Sequence, residues 1–207
     1  MKLFLSSQAI SKAQAPELIA LVGKKAADIK LAVIENAADV EAGPKDWLLR
    51  NRQLIESHGF GVEYIDLQTV AKDLAALRTK LASKDVLWFG GGNVYYLRWL
   101  LRDAGVESIV KDLVQSGTVY GGGSAGAIIA GPTLRHFETA DDPKAAPELL
   151  YDGLFFTEKV VVPHMDNPKF TAVIQGIENG LRADGYSTVP LTDAQALVID
   201  GKTEKII

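Results

Sequence analysis

The stretch Val119-Tyr120-Gly121-Gly122-Gly123-Ser124-Ala125-Gly126-Ala127-Ile128-Ile129-Ala130 constrains the fold more than any other part of this chain. It reads as the end of a strand that turns sharply into a helix, with Ser124 at the apex. Gly122, Ser124 and Gly126 fit the G-x-S-x-G nucleophile elbow, in which a strained turn holds the serine Oγ up at the edge of a sheet. Glycine is needed on both sides because a Cβ there would strike the adjoining strand and helix. The run Ala125 to Ala130 is small and apolar, as suits a buried helix whose N-terminus favours negative charge at the serine. An ordinary strand-to-helix turn or a phosphate-binding loop would use similar residues, so the motif needs partners elsewhere.

The remainder of the chain alternates between strand and helix patterns. The continuous apolar run Ile29 to Ile34 predicts a strand buried on both faces, and Asp85 to Phe89 reads as a strand breaking at Gly90-Gly91-Gly92. Leu3 to Leu5, Val62 to Leu67 and Thr118 to Tyr120 read as further strands. Between them, Pro16 to Leu21, Asp46 to His58, Val70 to Leu81, Tyr95 to Asp103 and Ile109 to Gln115 read as helices. This rhythm predicts an α/β fold, a mostly parallel sheet with helices on both faces. After Gly131-Pro132 the rhythm stops. Residues 133–157 look like an irregular excursion, Lys159 to Val162 returns as a strand, and Val189 to Leu191, Ala196 to Asp200 and Lys205 to Ile207 read as short strands around turns. With no repeat, low-complexity segment or linker, residues 1–207 are expected to form one domain.

Composition removes several function classes. A formal net charge of −4, with no Lys/Arg cluster, argues against nucleic acid as a partner. The absence of cysteine excludes disulfides, a thiol nucleophile and thiolate metal sites, and three scattered histidines make no metal cluster. No apolar run approaches the roughly 20 residues a membrane span needs, and Met1 to Ser7 is too short for a signal sequence. The expectation is a cytoplasmic protein without cofactor, acting on a small molecule, with a homodimer left open.

A serine nucleophile requires a base, and only His58, His136 and His164 are available. His58 precedes Gly59 at a helix end and reads as structural. His136 lies in the excursion and reads as a surface or substrate-side residue. His164 follows Val160-Val161-Val162-Pro163, just past the C-terminal end of a buried strand, where sites in open α/β sheets assemble. It is the candidate base. The third member should be a carboxylate that orients the imidazole. Asp193, after Val189-Pro190-Leu191-Thr192, competes with Asp141 and Asp142; Asp166 is too near His164 unless the chain doubles back. Spacing does not choose, but the apolar flanks of Asp193 suggest burial, whereas Asp141-Asp142-Pro143 resembles a solvated turn. A second strand-to-helix junction, Phe89-Gly90-Gly91-Gly92-Asn93, can bring backbone N–H groups to a ligand. Gly91 or Gly92, with the Ala125 N–H, would complete an oxyanion hole. A nucleotide-phosphate loop is disfavoured, because neither the Walker lysine pattern nor G-x-G-x-x-G is met.

Taken together, Gly90-Gly91-Gly92-Asn93 before a helix, Gly122 to Gly126 at the elbow, Gly131-Pro132-Thr133-Leu134-Arg135 after it, and Pro163-His164 at a strand end resemble the peptidase E family of α-aspartyl dipeptidases and their cyanophycinase relatives. The resemblance runs over nearly the whole chain. It implies a three-layer α/β/α fold like class I glutamine amidotransferases (flavodoxin-like), with serine in place of cysteine. Ser124 then matches the nucleophile and His164 the base. Asp193 falls where the family carries an acidic third residue, and Asp141 falls near another carboxylate of suggested catalytic role. Thr192-Asp193-Ala194-Gln195-Ala196 departs from the family's Glu followed by Gly. The resemblance further implies hydrolysis of dipeptides with N-terminal aspartate, Arg135 meeting the side-chain carboxylate; Asn93 either binds substrate or caps its helix. Two other classes remain open: an α/β-hydrolase esterase using Asp142 with His164, and a non-catalytic binding protein on the same scaffold.

Overall fold

The computed structural model describes residues 1–70 and 73–207. In chain order it runs β1 (Lys2–Ser6), α1 (Ala15–Val22), β2 (Lys30–Ile34), α2 (Asp46–Glu56), β3 (Gly61–Tyr64), α3 (Leu67–Val70), α4 (Leu74–Ala82), β4 (Val86–Phe89), α5 (Val94–Asp103), α6 (Val106–Gln115), β5 (Val119–Gly123) and α7 (Ala125–Ile128). It ends with β6 (Lys159–Val162), α8 (Thr171–Ala183), β7 (Ser187–Pro190), β8 (Ala196–Asp200) and β9 (Thr203–Ile206). The helix expected over Val70 to Leu81 covers Ala71 and Lys72, which lie outside the described residues.

Seven strands form one sheet in the order β3-β2-β4-β5-β1-β8-β9. Five of them are parallel, from β3 to β1. The last two form a hairpin that joins antiparallel to β1. The parallel core covers both faces of β2, β4 and β5, which is why β2 lies in the apolar run Ile29 to Ile34. Side chains alternate between two cores along each strand. Leu3, Leu5, Ala32, Ile34, Leu87 and Phe89 face the layer containing α4 to α8. Phe4, Leu31, Val33, Val86 and Trp88 face α1 and α2. Helix, sheet and helix thus form three layers, each strand supplying both interfaces through its period of two.

Three features depart from the sequence reading. β6 and β7 do not enter the main sheet; they pair with each other, parallel, as a separate two-stranded sheet. α8, which the sequence reading did not include, connects them; Ile174, Ile177 and Leu181 recur at helical spacing on its buried face despite Gly176 and Gly180. The helix after the elbow, expected to reach Ala130, is a single turn ending at Ile128.

Residues 133–157 lack long elements but are pinned to the body. Thr133 bridges Asp152, the Leu134 N–H donates to Tyr151 O (2.7 Å), and the Leu154 N–H donates to Ile129 O (2.7 Å). Arg98 of α5, only 3% exposed in its side chain, ties the segment from beneath. Its guanidinium donates to Asp152 O (2.7 Å), Asp152 Oδ2 (2.8 Å) and Glu107 Oε2 (2.8 Å).

Candidate active site

Ser124 follows β5 with φ 49° and ψ −113°, a backbone conformation that L-residues rarely adopt. Strain of this kind costs about 1–3 kcal/mol and persists only where the surroundings enforce it. They do so here. A Cβ on Gly126 would lie 2.0 Å from Phe89 O, so only glycine lets the first turn of α7 press against β4. The buried Tyr120 hydroxyl then donates to Gly126 O (2.6 Å), and the Ser124 N–H donates to Ser6 O (3.1 Å). Burial in this apolar setting pushes the Tyr120 phenol well above its ordinary range, so it remains a hydrogen-bond donor.

His164 reaches the serine from the small sheet. It follows Pro163 at the end of β6, itself in the left-handed region with φ 65°. Its Nε2 lies 3.0 Å from Ser124 Oγ, and its Nδ1 lies 2.6 Å from Asp193 Oδ1. Asp193 stands just after β7, so the pairing of β6 with β7 brings His164 and Asp193 side by side. Three neighbours that sequence reasoning passed over hold this pair. Ser7 Oγ accepts the His164 backbone N–H (2.9 Å) and donates to Asp193 Oδ1 (3.3 Å). Asn167 Nδ2 donates to Asp193 Oδ2 (3.0 Å), and Gln8 adds a further hydrogen bond. Burial, the largest single influence on Asp193, raises its pKa; the hydrogen bond and charge of His164, with Asn167 and Gln8, outweigh it and hold the carboxyl below its ordinary value. Asp166 has a lesser part, accepting the Asp193 N–H (2.7 Å). A signal existed for Ser7 and Gln8: they sit at the C-terminal end of β1, on the edge where Ser124 and the Gly90 turn also lie.

The other carboxylates stand apart from the histidine. Asp141 is not in a solvated turn. It is half-buried, its Oδ2 accepts the Val94 N–H at the start of α5 (2.8 Å), and burial pushes its pKa up to about 6. Asp142 is exposed and accepts the Lys144 N–H (2.9 Å), which removes the pairing with His164 that the esterase reading required.

The Gly90–Gly92 turn is fixed at both ends: Gly90 N–H donates to Ile34 O (2.8 Å) and Asn93 N–H to Ala37 O (2.8 Å). Gly91 lies against Ser124, such that an added Cβ would sit 3.3 Å from Ser124 Cβ. Gly92 has φ +131°, and a Cβ there would meet Ala37 O at 2.2 Å. Ala125, as the first residue of a helix, has an N–H without an intrahelical partner. Because α7 is one turn long, little helix macrodipole stands behind these N–H groups. Asn93 is 3% exposed and its amide is engaged at both ends: Oδ1 accepts the Tyr96 N–H (2.9 Å) and Nδ2 donates to Asp142 O (2.9 Å). Of the two roles expected for it, capping of α5 is the one this geometry fits. Arg135 is exposed, with its guanidinium 4.9 Å above the Tyr151 ring and no ion pair among the described residues. His58 contacts Ile10 O through Nε2 (2.8 Å), and His136 pairs with Asp184 (2.8 Å); both link elements. No grouping of His, Asp and Glu suited to a metal ion occurs among the described residues, and none of their helices is long and apolar enough to cross a membrane.

A strained serine within hydrogen-bond reach of an imidazole, itself oriented by a carboxylate, is the arrangement of a nucleophilic acyl-transfer hydrolase. Comparison with known proteins narrows the class. The profile of peptidase family S51 matches residues 4–207. An uncharacterized peptidase of Listeria monocytogenes is 32% identical over 164 residues, 79% of this chain and 75% of that one. Peptidase E of Escherichia coli is 28% identical over 166 residues, 80% of this chain and 69% of that one. A solved Listeria monocytogenes structure described as peptidase E superposes with a TM-score of 0.86 at 27% identity, covering 100% of this chain and 97% of the other. A peptidase from an acI-B1 actinobacterium shares the fold at a TM-score of 0.73 and 19% identity, covering 100% of this chain and 86% of the other. The chain belongs to peptidase family S51 and is a serine peptidase.

Proposed function

We propose that this peptidase cleaves dipeptides with an N-terminal aspartate through an acyl-enzyme on Ser124. The observation that carries the mechanism is the relay of 3.0 Å from Ser124 Oγ to His164 Nε2 and 2.6 Å from His164 Nδ1 to Asp193 Oδ1. Asp193 accepts a hydrogen bond from Nδ1–H and so fixes the tautomer, which leaves Nε2 unprotonated and able to take the proton from Ser124 Oγ as it attacks the scissile carbonyl. The oxyanion then forms against N–H groups of Ala125 and of Gly91 or Gly92, each donor contributing about 10²–10³ in rate. The imidazolium, stabilised by ionised Asp193, gives its proton to the leaving amine, and water repeats the sequence on the ester. The aspartyl preference rests on likeness to peptidase E and on Arg135, an exposed cation without an acidic partner among the described residues.

The test is a panel of Asp-X, Glu-X, Asn-X and Ala-X dipeptides, with Ser124→Ala and Arg135→Ala. Asp-selective turnover that vanishes in Ser124→Ala is expected. Arg135→Ala should weaken Asp-X cleavage about 10- to 100-fold, chiefly in KM, as loss of a charge-assisted bond predicts. Turnover surviving in Ser124→Ala would end the mechanism; equal cleavage of all four series would end the specificity.

A further inference from the structure

The segment after the catalytic histidine carries an aromatic ring that the fold does not cover. Phe170 lies beside His164, ring centroids 5.7 Å apart and planes inclined by 40°, yet it is 43% exposed. One turn further along α8, Val173 is 36% exposed. Large apolar side chains left open to water forgo the favourable burial of their surface. Nor is this ring loosely placed. The Asn167 N–H donates to His164 O (3.1 Å), the Phe170 N–H donates to Asn167 O (2.9 Å), and Asn167 Nδ2 holds Asp193 (3.0 Å). The loop that orients the triad therefore also sets Phe170.

Chemistry indicates what approaches that ring. His164 Nε2 must deliver its proton to the leaving nitrogen, so the residue bonded to that nitrogen lies on the imidazole side of the scissile bond. We infer that Phe170, extended by Val173, forms the wall of the subsite for the leaving residue and gives the enzyme a preference for an apolar or aromatic second residue. This rests on the proposed role of His164 as the acid towards the leaving amine. Phe170 is a specificity residue, burying apolar surface of the substrate as it binds.

Steady-state kinetics on Asp-Gly, Asp-Ala, Asp-Leu and Asp-Phe, with wild type, Phe170→Ala and Phe170→Leu, decide the matter. In wild type, kcat/KM should rise about tenfold from Asp-Gly to Asp-Leu and Asp-Phe, as expected for filling a hydrophobic pocket. Phe170→Ala should lose about tenfold on the two large residues, mainly through KM, with the loss shrinking as the second side chain shrinks; Phe170→Leu should recover part of it. A flat wild-type series, or an equal loss on all four peptides, would overturn the inference and leave Phe170 as a cover for His164. If other first residues are cleaved and aspartate is not, the aspartyl reading fails, and the same ranking on the accepted first residue decides the subsite. If no dipeptide is cleaved, both fall.

Discussion

At the scale of single residues, the site is a set of polar atoms that constrain one another. Asp193 accepts from His164, Ser7, Asn167 and Gln8, and Ser7 in turn holds the backbone of His164. Asp193→Asn should retain the shape of this cluster yet favour the wrong imidazole tautomer, lowering kcat about 10⁴-fold. Stability provides an independent check. Because the folded pKa of Asp193 is depressed, its carboxylate stabilises the fold above the ordinary carboxylate range, and that contribution is lost as pH falls through the depressed value. Thermal melts should show wild type above Asp193→Asn at neutral pH, with the gap closing in acid. Ser124 and His164 were legible as candidates because each sits in a local signature, a glycine-flanked turn and a strand end. The preference for Asp193 over Asp141 rested only on its apolar flanks and not on spacing, because residues 29 positions apart meet only through the pairing of β6 with β7.

At the scale of elements, α5 has an unusual N-terminus. Its first N–H is bound by the carboxylate of Asp141, and Asn93 at the cap also grips the 141–142 turn. This junction holds Gly91 and Gly92 beside the serine. Asp141 is ionised only at a cost, since burial lifts its pKa to about 6, with Glu41 adding to the effect. Its folded pKa is raised, so the fold is penalised as pH climbs from the ordinary carboxylate range through that value, and the penalty is complete above it. Asp141→Asn keeps an acceptor for Val94 without the charge. It should be more stable than wild type near pH 7.5, by up to about 3 kcal/mol, and should match it near pH 4. Denaturant titrations at the two pH values measure this. The solvated turn expected from Asp-Asp-Pro was wrong for Asp141, because α5 and the excursion fold over it. The α8 helix was legible but not read: Ile174, Ile177 and Leu181 lie at helical spacing, and their packing into the core offsets the weak propensity of its two glycines.

At the scale of the whole molecule, the excursion at 133–157 is integrated through Arg98. This buried guanidinium joins α5, α6 and Asp152, and removing it leaves the Asp152 carbonyl without its donor and Glu107 with Lys111 alone. Arg98→Ala should cost about 3 kcal/mol and open residues 133–157 to limited proteolysis. Arg135, inside that segment, would lose its placement over Tyr151 at the same time. The α/β class, the strand–turn–helix at Ser124 and the glycine turn at Gly90–Gly92 were all readable from the chain, because hydrophobic period and glycine demand are local properties. The same local reading narrowed the base to one strand-end histidine. Long-range packing settled the rest: β6 and β7 form a sheet of their own, Asp193 is the carboxylate on His164, and the Asn93 amide is engaged at the start of a helix. These outcomes depend on which distant segments bury one another, and no local pattern encodes that.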